Sequence, residues 1–289
     1  SAIGLLALVA YLVRRLPQTQ LGLMLGLLIL TSLPVVNLIG NTGYFDSLWL
    51  ALALGAVCVP GHRPVALALK IGLCCSGVLV HEAMVLTFAG LIAAQIYLAG
   101  GGLIRAMLPV GIPAALATLL MATAPFADAA MVDLIAATAQ RATDWDVRIV
   151  TLEAVMRFRE GDGPSFADRW TLAPYLFERK TVLPIGLGYL AALLMLGRAL
   201  IPHRSMLDKA LLLAIALAPL AILAVAFDLP RFLGLALLQA WLLVTLLSHH
   251  DKEAAAQLHC VLTLPWIEGF FCADLLFALA TLNTVPAVY

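Results

Sequence analysis

The sequence predicts an all-α fold: a polytopic helical membrane protein with about ten spans and one amphipathic extracytoplasmic loop. Three observations carry this reading. Hydrophobic residues make up 63% of the 289 positions and charged residues 12%, where soluble domains carry roughly 25% charged residues. The apolar residues come in blocks of Leu, Ala, Ile and Val divided by short polar turns. The alternation over ~10-residue segments that marks a transmembrane β-barrel is missing from the sequence.

In chain order the apolar blocks fall at 2–13, 20–36, 44–59, 65–80, 84–99, 106–124, 182–199, 209–227, 231–247 and 260–282. The first opens SAIGLLALVAYLV, without Met, a charged n-region or a small-residue cleavage site. It reads as a truncated span, so residues 1–289 are expected to form a single transmembrane domain that lacks an N-terminal portion. Asn41 and Gly43 make the polar turn into the third block. Several blocks are shorter than the ~20 residues a bilayer requires, so tilt, half-helices or a re-entrant pair at 65–99 are expected. Pro230 sits in the first turn of the block that follows it, a normal helix start.

Segment 125–181 is the one substantial polar stretch and is expected to be an extracytoplasmic helical loop. It carries seven basic and nine acidic residues. Segments 128–142 and 146–160 read as helices, the second with an apolar stripe through Val147, Val150, Ala154 and Phe158 or Val155. Ser165-Phe-Ala-Asp168 has the form of a capping box. An Arg-bearing lid and a passive solvated surface both fit this composition.

Orientation follows from the basic residues. Taken alternately, one set of loops holds Arg14, Arg15, Arg63, Lys70, Arg105, Arg198, Arg204, Lys209 and Lys252, while the short loops of the other set hold only Arg231. Positive charge marks the cytoplasmic side. The expected site is therefore extracytoplasmic, the common face of Asp46, His81-Glu82, Asp228, Arg231 and the loop.

His81-Glu82 is the leading candidate, because it interrupts an apolar run of 36 residues from Val65 to Gly100. An intramembrane charge costs on the order of 2.5–3.5 kcal/mol and is functional by default. A helix–turn–helix corner at the membrane surface is the alternative. Asp46 serves equally as an N-cap. Asp228 and Arg231 can simply pair with each other, or Arg231 can grip a phosphate with its guanidinium fork.

Other signals carry less. His81-Glu82-Ala-Met-Val lacks the second His of a zinc-protease motif. Ser248-His-His-Asp-Lys-Glu reads as a solvated cytoplasmic loop, and Glu268 and Asp274 as intramembrane acids without a named partner. The five cysteines show no CxxC and read as small core residues. No metal site or cofactor is expected, although a divalent ion is left open. Zero net charge gives no footprint for nucleic acid.

Gly-Tyr-Phe-Asp before one span, His-Glu-Ala after another and Phe-Asp-Leu-Pro-Arg-Phe before a third resemble bacterial polysaccharide-assembly proteins. The resemblance is to the exopolysaccharide-polymerase (EpsG-like) and O-antigen-polymerase (Wzy-like) families, within the lipid-linked-sugar (GT-C-type) glycosyltransferase group. It covers residues 40–100 and 220–245. The chain departs from that group in having no acidic motif in a first large extracytoplasmic loop.

The resemblance implies a multi-pass protein of the bacterial inner membrane that transfers a sugar, or polymerises repeat units, from a polyprenyl-phosphate carrier. Under it, Glu82 or Asp46 is the base and His81 orients or shares the proton. Arg231, with Asp228 beside it, and Arg157 or Arg159 hold the phosphate. Export-complex proteins are the implied partners. A proton-coupled transporter or flippase built on His81, Glu82, Glu268 and Asp274 is the rival reading, and a non-catalytic scaffold a third.

Overall fold

A computed structural model describes residues 2–16, 20–31, 35, 46–81, 84–123, 182–200, 204–224, 229–265 and 269. Among them the regular structure is entirely helical. The helices are α1 (Ala2–Arg15), α2 (Gln20–Thr31), α3 (Asp46–Cys58), α4 (Pro64–Val80), α5 (Ala89–Leu98), α6 (Leu103–Thr123), α7 (Val182–Leu200), α8 (Met206–Leu217), α9 (Leu229–His250) and α10 (Lys252–Leu262). A 3₁₀ segment, Ala218–Ala224, continues α8.

Two of these helices are long and apolar enough to cross a membrane, in the stretches Leu103–Leu120 and Phe232–His250. Shorter apolar helical stretches of 10–17 residues are Ser47–Cys58, Pro64–Val80, Ala89–Leu98 and Gly186–Arg198. The expected block at 84–99 begins as a tight turn at Met84–Phe88 and becomes helix only at Ala89. The last expected span, 260–282, lies mostly outside the described residues. Just before it, residues expected to form a solvated loop instead form α10.

Local chemistry explains the boundaries. Pro64 occupies the first turn of α4, where its missing N–H costs nothing. Gly100 and Gly102 take φ of 82° and 76°, the left-handed values that turn the chain from α5 into α6. Ser205 and Asp208 form a reciprocal capping box on α8. Asp251 caps α10 by accepting from the Glu253 and Ala254 N–H groups at 3.0 and 3.1 Å.

Pro219 stops α8 from continuing as an α-helix. It has no N–H for the Ile215 carbonyl, and the chain tightens to 3₁₀ from Ala218. Other helices supply the missing donors. Gln239 Nε2 of α9 donates to Ile215 O, and Tyr189 Oη of α7 donates to Ala216 O at 2.6 Å. A broken helix inside an apolar core is tolerated on those terms.

The core centres on α9, which packs on α1, α2, α5, α7, α8, the 3₁₀ segment and α10. In its Phe232–His250 stretch 89% of the residues are buried, against 17% in the Leu103–Leu120 stretch of α6, so α9 is the central post and α6 lies at the periphery. α1 and α3 cross closely at Gly4, where an added Cβ would come within 2.8 Å of Ser47 Cβ and 2.9 Å of Ser47 Cα.

Side-chain contacts fix which helix ends lie together. Arg15 donates to Val57 O at 2.7 Å, and Lys70 to Ala56 O and Val59 O at 3.0 and 2.8 Å. Tyr97 donates to Asp208, Arg204 pairs with Asp251 at 2.8 Å, and Tyr11 of α1 reaches Leu242 O of α9. The ends of α1, α3, α5 and α9 thus gather with the starts of α4, α8 and α10. We refer to this as the basic end.

Candidate functional site

The opposite end of the bundle receives the last turn of α4 and the first turns of α3 and α9. His81 terminates α4: its φ of −163° and ψ of 126° are extended, while its N–H still donates to Gly77 O at 2.9 Å. Its carbonyl accepts from Met84 N–H at 3.1 Å, which reverses the chain sharply between α4 and α5. The imidazole lies nearly parallel to the Trp49 indole, with ring centroids 5.6 Å apart and planes at 23°.

Trp49 is fully buried and meets Phe88 at 5.5 Å on another side. An aromatic wall built from α3 and the α4–α5 turn therefore sets the His81 ring plane. Stacking of this kind contributes about 0.5–1.5 kcal/mol beyond the buried area.

Asp46 is the first residue of α3, within one turn of Trp49, so the structure brings its backbone to the same end as His81. Arg231 lies in the first turn of α9, also at that end. The side chains of Asp46 and Arg231, and all of Glu82, Asp228, Arg157, Arg159 and the 125–181 loop, fall outside the described residues.

Apart from Thr87 in the Met84–Phe88 turn, the buried polar groups of the described core lie elsewhere, and sequence reasoning gave them other roles or none. Lys70, counted as a cytoplasmic charge, is fully buried inside α4; besides its two carbonyl bonds it donates to Gln95 Oε1 at 2.5 Å. Its three protons are thereby used, and it closes the C-terminus of α3 as a cation suits a helix C-terminus. Gln239 is fully buried, with Oε1 lacking a partner among the described residues. The available signal was a single Lys or Gln within an otherwise apolar run, where polar side chains find partners in the bundle interior.

At the basic end, hydrogen bonds from the Tyr97 hydroxyl first and Ser205 next hold the Asp208 carboxyl below its ordinary range, against the opposing effect of burial. For Asp251 burial acts upward and is the largest single influence. The Ala254 N–H, the Arg204 guanidinium and the Glu253 N–H together outweigh it, leaving that carboxyl low as well.

Cys74 is buried, Cys58 and Cys75 are half-buried and Cys260 is exposed, all as free thiols. Among the described residues no group of three or more His, Cys, Asp or Glu side chains could hold a metal ion. The chain matches no protein-family model, no curated protein and no solved structure.

Proposed function

We propose that the chain is a multi-pass protein of the bacterial inner membrane that transfers a sugar from a polyprenyl-phosphate carrier at the extracytoplasmic face, as a glycosyltransferase or polysaccharide polymerase. The observation that carries the reading is the end-to-end polarity of the bundle. His81 stacks on the first turns of α3, which opens with Asp46, at the end where α9 also begins with Arg231 in its first turn, while Arg15, Lys70 and Arg204 gather at the other.

The surface suits a lipid surround. Ile3, Leu6 and Val13 of α1 are 62–74% exposed, and Ile104 of α6 is 82% exposed. Such stripes are costly in water and favourable against acyl chains.

In this reading the acceptor hydroxyl oxygen attacks the anomeric carbon of the donor sugar. Its proton passes to Glu82 or Asp46, with His81 fixed by Trp49 to orient or share it. The bond from the anomeric carbon to the phosphate oxygen breaks, and the electron pair leaves with the carrier phosphate. Arg231, with Arg157 or Arg159, neutralises the charge that develops there.

The test compares Glu82→Gln and His81→Ala in the native host, reading surface polysaccharide by gel laddering at matched protein abundance. Loss or shortening of the polymer is expected in both variants. An unchanged ladder in both overturns the enzyme reading and moves transport or scaffolding ahead.

A further inference from the structure

The transfer chemistry leaves the basic end unused, and the histidines there have no role in it. Four basic groups from three chain segments converge: Arg15 at the end of α1, Arg204 just before α8, and His249 and His250 at the end of α9. The two imidazoles sit edge to face, 5.1 Å apart. His250 lies within electrostatic range of His249, Arg15 and Arg204 together. Asp251 joins them directly: it pairs with Arg204 at 2.8 Å and spends an oxygen capping α10. Asp208, the next acid, is engaged by Tyr97 and Ser205.

His250 Nε2 is buried and finds no hydrogen-bond partner among the described residues. Buried ring nitrogens are normally satisfied. The fixed positive charges of the cluster are the Arg15 and Arg204 guanidiniums, beside a His250 Nε2 that is left without a partner among the described residues. Arg15 uses one guanidinium nitrogen on Val57 O, and a guanidinium carries five N–H donors in all.

We propose that this cluster binds a phosphate-bearing anion, namely the headgroup of an anionic phospholipid, with Arg15, Arg204, His249 and His250 framing the phosphate. Flanking surface selects a lipid over free phosphate. Val13, two residues before Arg15, is 74% exposed, and Met206 and Leu207, just after Arg204, are 78% and 60% exposed. Apolar side chains on both sides of a basic cluster suit acyl chains descending from a bound headgroup, and basic sites between helices on the cytoplasmic side recognise anionic lipids on these grounds.

The experiment uses the full chain in neutral detergent and three probes: short-chain phosphatidylglycerol, short-chain phosphatidylcholine and inorganic phosphate. Binding is read as a saturable rise in the unfolding temperature. Phosphatidylglycerol is expected to bind at least roughly tenfold more tightly than phosphatidylcholine. His250→Gln, and the charge-balanced pair Arg204→Gln with Asp251→Asn, are each expected to abolish that preference, whereas Lys252→Gln, an exposed basic residue nearby, retains it. Equal affinity for the two lipids overturns the proposal, as does a preference that survives both variants. Inorganic phosphate that binds as tightly as phosphatidylglycerol keeps the anion site and overturns its assignment to lipid. If the paired variant unfolds, His250→Gln alone decides.

Discussion

Replacing Lys70 with Met tests whether the buried ammonium is a structural clasp. Methionine fills a similar volume and donates nothing. The change strips donors from Ala56 O, Val59 O and Gln95 Oε1 at once. The three acceptors are not equally exposed to the loss. Ala56 O keeps a long bond from Val59 N–H at 3.3 Å, and Val59 is half-buried and can admit water. Gln95 is 2% exposed, so its oxygen bears the full desolvation penalty.

A buried acceptor left unpaired costs about 1–3 kcal/mol and a charge-assisted bond is worth about 1.5–3 kcal/mol. Relief from burying the ammonium offsets part of this. The expected loss is about 2–4 kcal/mol, with Lys70→Met/Gln95→Leu less destabilised than Lys70→Met because the stranded acceptor goes too. Tryptophan fluorescence during chemical unfolding in detergent reads this through the buried Trp49 and Trp241. Wild-type stability in Lys70→Met, or a double variant worse than the single one, would refute the clasp.

Two further outcomes follow from the same kind of accounting. Gln239→Leu leaves Ile215 O unpaired, and Pro219→Ala supplies an N–H in reach of it. A double-mutant cycle should therefore give a favourable coupling of about 1 kcal/mol, and strict additivity would contradict the exchange of donors. The Asp251 carboxyl is lowered in the folded state, so its contribution is present in full above the unfolded value of about 3.9 and is lost as pH falls through the folded one. Asp251→Asn, which retains capping capacity, should be less stable than wild type at neutral pH, with the difference closing in acid; a difference that widens in acid would reverse the assigned sign.

The helical class was legible because apolar blocks and short polar turns report burial directly, and Pro230 marks the start of α9. Pro219 was equally visible, but the block at 209–227 is apolar throughout, so periodicity carried no trace of the break. The burial of Lys70 was not legible, because a charge near the end of an apolar run reads as one that reaches the interface. Its partners are main-chain carbonyls of another helix and a Gln 25 residues on, and no sequence pattern records them. The histidines before Asp251 read as part of a loop, yet they are the last residues of α9, His249 exposed and His250 half-buried. Of the candidate site, His81 stands as a helix terminus against Trp49. That aromatic neighbour lies 32 positions earlier in the chain, a separation that local reading does not bridge.

The central post of this bundle is among the later helices to be made. During synthesis α1 through α8 leave the ribosome before α9, and several must hold position while the surface they will share has no occupant. Tyr11 waits more than two hundred residues for the Leu242 carbonyl it will bond. Until α9 arrives, the inner faces of α1, α2, α5 and α7 are available to one another and to quality-control proteases. A stop codon before Leu229 would therefore remove more than a terminus. It would leave the helices that pack on α9 without their common partner, and the cell would register that damage as rapid turnover of the nascent chain.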